Sequence, residues 1–385
     1  MCDEVIGWRR HLHRNPELSF GEEETSRFVY ETLHSFGGLE LSRPTPTSVV
    51  ARLVGQRPGR VVALRADTDA LPITEENDFE FASGKPGVMH ACGHDGHAAM
   101  LLGAAKVLGG MREEVNGEVR FLFQHAEEQP PGGAGQMIEA GVMEGVDAVI
   151  GIHLSSYLPV GKIGLGYGPM GAAADTFGLW IIGKGGHAAR PNRVVDTVAI
   201  AAQVVTNLQH VVSRNADPLD SVVVSVTRIA GGTTHNVIPE TVEMEGTIRA
   251  LQEEVREKIP GTMERVIKGV TEAHGASYSF EHRRGYGPVV NDEEVTRIVE
   301  ATAREVFGEA AVECMPPAMG SEDFSAYQRV TPGTFFSVGA RNEAKGITYP
   351  HHHPRFTIDE DALPIGVKMF VCAAFELLDA EQRGS

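Results

Sequence analysis

At 385 residues, with 42% hydrophobic and 22% charged side chains, the chain has the composition of a soluble globular protein and the length for two domains. Its 34 basic against 52 acidic residues leave a net charge of −18, which argues against nucleic acid or an anionic membrane as partner. No apolar run approaches the about 20 residues of a membrane span, residues 1–10 lack a signal-peptide pattern, and Cys2, Cys92, Cys314 and Cys372 are too scattered for a disulfide framework. A reduced, cytoplasmic protein is expected.

Taken in order, Phe28, Val29, Leu33 and Phe36 recur at helical spacing and stop at Gly37-Gly38. Residues 48–54 and 60–64 read as strands, the second delivering Arg65-Ala66-Asp67-Thr68-Asp69 at its C-terminal end, where open α/β sheets place their sites. A helix is expected over 98–108, a strand over 118–123, a short helix over 136–140 and a strand over 148–152 ending at His153. This alternation predicts a larger α/β domain with a mixed, largely parallel sheet. From residue 176 the order becomes strand 176–182, helix 194–212, strands 221–229 and 241–251, helix 253–274 and strand 277–281. That βαββαβ order is ferredoxin-like and describes a self-contained domain. Helices at 292–307 and 358–378 around a strand at 334–338 then complete the first sheet. The expected division is therefore residues 1–173 and 286–385 as the catalytic, metal-binding domain, interrupted by residues 174–285.

The chemistry concentrates in His90-Ala91-Cys92-Gly93-His94-Asp95-Gly96-His97, which packs a thiol, three imidazoles and a carboxylate into eight residues. Such side chains bind borderline-soft divalent ions. Matching candidates follow at Glu127-Glu128, at His153 and at His351-His352-His353, each in a loop or at a strand end where one sheet edge would gather them. Taken singly, each has an ordinary structural explanation; their joint placement favours a metal centre. Adjacent glutamates at a frayed strand end let one side chain turn to an ion and the other to water. Metal-assisted hydrolysis needs both roles.

These residues carry a resemblance. The chain resembles the dinuclear metallopeptidase clan of aminoacylases and glutamate carboxypeptidases. Within it, the chain is similar to the N-acyl amino acid amidohydrolase branch that includes hippurate hydrolases and plant indole-acetyl amino acid hydrolases. The matching stretches include residues 9–18, 65–72, 89–97, 124–128, 151–154, 186–191, 234–239, 320–324 and 352–354, and so run through nearly the whole chain. The resemblance implies a metal-dependent amidohydrolase with two divalent ions, manganese first and zinc, cobalt or nickel as alternatives. Cys92 would bridge them, with His94, Glu128, His153 and His352 completing the shells; His351 and His353 are the neighbours that could be confused with His352. Glu127 would be the general base and Asp67 a support for a metal-site ligand. It further implies that the inserted domain is a lid and dimerisation domain. Its His187 would stabilise the oxyanion in a partner subunit, and Asn236 and Arg249 would bind the substrate's α-carboxylate. A homodimer or homotetramer acting on a small N-acyl amino acid is expected. Val195, Val198, Ala199, Ala202, Val205 and Val212 are the candidate dimer face, or else pack on the lid's own sheet. Two rivals stand beside this reading: Cys92 as a nucleophile activated by His94, and a non-catalytic binding protein on the same fold.

Overall fold

A computed structural model describes residues 1–380, which divide into two compact units. The first comprises Met1–Gly168, Val290–Pro316 and the chain from Asp323 onward; the second comprises Pro169–Val289 and Pro317–Glu322. The boundaries thus lie several residues from the expected 173/174 and 285/286, and the segment 317–322 groups with the second unit although it lies far downstream in sequence.

The first unit is built on an eight-stranded sheet in the order Glu40–Ser42, Val49–Val54, Asn116–Gln124, Arg57–Asp67, Ala148–Pro159, Gly333–Arg341, Ile163–Leu165, Val312–Cys314. The strand Arg57–Asp67 pairs in parallel with Asn116–Gln124 and Ala148–Pro159, and Gly333–Arg341 pairs in parallel with the latter. The antiparallel pairs lie toward the two edges. These central strands read as near-continuous apolar runs because both faces are covered. Val62, Leu64, Phe121, Phe123, Ile150 and Ile152 point into one core, whereas the intervening Ala63, Leu122 and Val149 point into another with Phe324 and Tyr327.

Helix His94–Gly110 starts four residues before the expected 98–108 and lies in the first of these cores. A Cβ on Gly96 would come within 2.4 Å of Leu154 Cδ1, and one on Gly366 within 2.0 Å of Met100 Sδ. With glycine at both positions, Leu154 and Met100 pack directly against the helix backbones; a larger residue at either would make that side chain shift. Gly93 enters it at φ +95°, which an L side chain rarely adopts. Helix Cys2–Arg14 was not expected from the sequence; its half-exposed polar surface dilutes the apolar period to Val5, Arg9, Leu12 and His13.

The second unit contains the expected βαββαβ order, in a four-stranded antiparallel sheet ordered Val222–Ala230, Thr241–Ala250, Ala173–Ile182, Ser277–Arg283. One sheet face packs Phe177, Leu179, Ile181, Val242, Met244 and Ile248 against helices Thr197–His210 and Glu253–Ala273. The first of these helices starts at Thr197, because the Asp196 carboxylate accepts the Val198 and Ala199 N–H groups as an N-cap. The apolar residues expected to form one dimer face divide accordingly. Val195, Val205 and Val212 pack partly on this unit's own core, while Val198, Ala199 and Ala202 are exposed. Among the described residues no helix is long and apolar enough to cross a membrane.

Candidate metal centre

Three segments of the first unit converge on Cys92. The loop that carries it is tied to the histidine triplet by the His352 N–H, which donates to the Ala91 carbonyl at 2.8 Å. His352 itself adopts φ 63°, a left-handed conformation uncommon for a side chain with a Cβ. Its Nε2 lies 3.2 Å from Glu128 Oε1, in an alignment that makes no hydrogen bond. His153 lies inside the strand Ala148–Pro159, not at its end as expected, and its Nε2 is 3.6 Å from Cys92 Sγ.

Ligand-type atoms of Cys92, His94 and His153 all lie within 4.8 Å of one another, and so do those of Cys92, Glu128 and His352. Cys92 belongs to both groups. Glu127 joins His94 and Glu128 in another such group. The structure therefore brings Cys92, His94, Glu127, Glu128, His153 and His352 together. It also separates the three consecutive histidines. His351 Nε2 accepts the Ser156 N–H and its ring lies edge-on to His153, while His353 Nδ1 accepts the Arg355 N–H and stacks on Tyr349.

Hydrogen bonds fix which nitrogen faces inward in His153 and His94. The His153 Nδ1–H donates to the Leu154 carbonyl at 2.9 Å, which leaves the Nε2 lone pair toward Cys92. The His94 Nδ1–H donates to Asp69 Oδ1 at 3.1 Å, and its Nε2 is buried without a hydrogen-bond partner. Asp67, expected to support a metal-site ligand, accepts from His97 Nδ1 at 2.6 Å and from Arg65 at 2.7 Å, and stands 3.7 Å from His94 Nε2. His97 Nε2 in turn accepts the Leu154 N–H, beside His153. Asp69 and His97, which make these contacts, were not among the expected residues. Both stand within the motifs Arg65–Asp69 and His90–His97, yet the strand register that aims them was not readable.

The electrostatics differ from residue to residue, and burial holds His153 well below the ordinary imidazole range. The Cys92 thiol and the Glu128 carboxylate push His352 up to about 10. Burial works to raise Asp67, but His94, His97 and Arg65 hold it well below the usual carboxylate range. Burial pushes the Cys92 thiol up; a thiolate there calls for a cation.

The remaining predicted residues belong to the second unit. His187 is exposed on a short strand paired with Val237, and its Nδ1 accepts the Ala189 N–H. Asn236 is exposed, with its Oδ1 accepting from Thr234. Arg249 is half-buried on the strand Thr241–Ala250 and donates to Thr247.

Comparison with known proteins shows the family. An N-acyl-L-amino acid amidohydrolase of Geobacillus stearothermophilus is 65% identical over 291 residues, covering 76% of this chain and 79% of that protein. Thermostable carboxypeptidase 2 of Saccharolobus solfataricus is 44% identical over 94% of this chain and 93% of its own. A crystal structure of a dinuclear metal binding peptidase from Bacillus subtilis superposes with a TM-score of 0.87 at 38% identity, covering 98% of each chain. Residues 63–376 match the peptidase family M20/M25/M40, and the chain belongs to that family.

Proposed function

We propose that the chain hydrolyses the amide bond of N-acyl amino acids, releasing a carboxylic acid and an amino acid, with two divalent metal ions held by Cys92, His94, Glu128, His153 and His352. The observation that carries this reading is the inward lone pair on Nε2 of both His94 and His153, each set by a hydrogen bond on the opposite nitrogen, beside a sulfur shared by two donor groups. A set of one thiolate, three imidazoles and one carboxylate suits manganese, zinc, cobalt or nickel. Bound there, the ions would polarise the amide carbonyl and acidify water.

Glu127 supplies the proton traffic. It sits beside His94 and Glu128, takes the proton from the attacking water and passes it to the leaving amine. His187 is the oxyanion donor: with Nδ1 accepting from Ala189, its proton sits on Nε2, free to donate from an exposed position to a second copy of the chain. Arg249 and Asn236 receive the substrate α-carboxylate. Asn236 has its carbonyl engaged by Thr234, which leaves the amide N–H groups to donate. A C-terminal peptide bond is also an acylated amino acid, so the carboxypeptidase relative fits the same chemistry.

The test is amino-acid release from hippurate and a panel of N-acetyl amino acids by chelated protein and by protein restored with manganese, cobalt or zinc. Activity lost to chelator and regained with metal is expected. Turnover that survives EDTA but dies with iodoacetamide would replace this reading with Cys92 as nucleophile. Asp69→Ala should weaken metal binding about 10–100-fold, because it frees the His94 ring to rotate and change tautomer. Competition against a chromogenic chelator measures this, and an unchanged affinity would remove Asp69 from the site.

A further inference from the structure

The turn that carries Glu127 is pinned by two buried carboxylates. The strand Asn116–Gln124 stops at Gln124, and two residues later Ala126 takes a left-handed backbone at φ 51°. A Cβ disfavours that region, so the surroundings must hold it. Glu22 Oε1 accepts the Ala126 N–H at 2.8 Å, and Asp69 Oδ2 accepts the Glu128 N–H at 2.9 Å. The two carboxylates therefore grip the backbone on either side of Glu127, while the Ala126 carbonyl accepts from Gly133 at 3.1 Å.

Asp69 also orients His94. Glu22 is placed differently: it stands at the start of helix Glu23–Phe36, and its hydrogen bond to this turn goes to Ala126, not to any of the five proposed ligands. Its side chain is fully buried, and Oε2 has no hydrogen-bond partner. Burying a carboxyl with one oxygen unsatisfied is costly. Burial, opposed by its own backbone N–H and aided by Asp69, pushes Glu22 up to about 7. A hydrophobic side chain would fill the same space more cheaply, but it would leave the Ala126 N–H buried and unpaired.

We propose that Glu22 is a positioning residue for the hydrolysis: through the Ala126 N–H it holds the left-handed turn that aims the Glu127 and Glu128 carboxylates. This rests on Glu127 as the proton carrier.

The test compares wild type with Glu22→Ala, Glu22→Gln and the double variant Glu22→Ala/Ala126→Gly, all reconstituted with metal. Gln keeps an acceptor oxygen for the Ala126 N–H, and glycine adopts the left-handed region without steric cost. In Glu22→Ala, kcat is expected to fall by roughly 10–100-fold with KM little changed, as for a small misplacement of a reacting group. Glu22→Gln should retain most of the turnover, and adding Ala126→Gly should recover part of the loss. With cobalt as the ion, the visible absorption bands of Glu22→Ala should shift as Glu128 moves, while two ions remain bound. Turnover of Glu22→Ala within twofold of wild type would overturn the proposal. So would an equal loss in all three variants that tracks a common fall in thermal midpoint, since that marks a residue needed only for the core. A wild-type protein inactive on every substrate would instead sink the hydrolytic reading, and the cobalt spectra would still decide the role of Glu22.

Discussion

Glu127→Gln is expected to bind both metal ions with near-native affinity and to lose about 10²–10⁴ in kcat, the range that a positioned general acid–base group contributes. The substitution keeps the size and one acceptor oxygen of a side chain that is only 7% exposed, so the packing around it should survive. What it removes is the ability to take a proton and return it. Glu128→Gln separates the two neighbours. Glu128 Oε1 faces His352, and the loss of its charge should appear first as weaker metal binding. Metal titration followed by steady-state kinetics on each variant measures both quantities. Near-wild-type turnover in Glu127→Gln with metal retained would remove Glu127 from the proton path. A loss of metal from Glu127→Gln would mean that the two glutamates had been assigned the wrong way round.

The sequence made the architecture legible because period and punctuation agree along most of it. The strands 116–124 and 148–159 lie within a sheet covered on both faces, so each carries an apolar stretch, Phe121–Phe123 and Ala148–Ile152, that serves two cores. In the second unit the strand Thr241–Ala250 alternates buried and less buried positions along its length, as a one-sided sheet requires. The short strands Glu40–Ser42, Ile163–Leu165 and Val312–Cys314 were not legible, since three residues carry no measurable period. Helix starts were misplaced where a cap or a tight contact sets them: Asp196 delays one helix, and the Gly93 turn admits another early. At the metal centre, ligand types and their motifs were visible, but their supports were not. Asp67 and Asp69 are two residues apart and chemically identical. Only the fold shows that the first reaches His97 and Arg65, and the second His94 and the Glu128 N–H. In the histidine triplet likewise, only the fold shows that His351 meets Ser156, His352 faces Glu128 and His353 meets Arg355.

Arg65→Met should destabilise the first unit by about 3–5 kcal/mol, the cost of leaving buried charge without its partner. Arg65 is 1% exposed and donates to Gln124 at 2.8 Å, to Asp67 at 2.7 Å and to Asp323 at 2.8 Å. Asp323 further accepts from Gln124 Nε2 at 2.8 Å and from the Ala134 N–H at 3.0 Å, so the guanidinium joins three segments under the sheet edge. Burial already raises Asp323, and Arg65 is the largest influence opposing it. Without that cation, Asp323 would stand buried with only Gln124 and the Ala134 N–H to meet it, and Asp67 would keep only its histidine neighbours. The consequence should reach the metal centre, because Asp67 holds His97, and His97 holds the Leu154 N–H next to His153. A fall of roughly 5–15 °C in thermal midpoint is expected, together with weaker metal binding. Asp323→Asn removes one of the stranded charges, so adding it to Arg65→Met should restore part of the midpoint and give a coupling of about 1 kcal/mol or more. Strictly additive midpoints would show that Arg65 and Asp323 do not act together. A recovered midpoint without recovered metal affinity would place the link to the metal centre in the Asp67–His97 pair alone, since the double variant still lacks the guanidinium that holds Asp67.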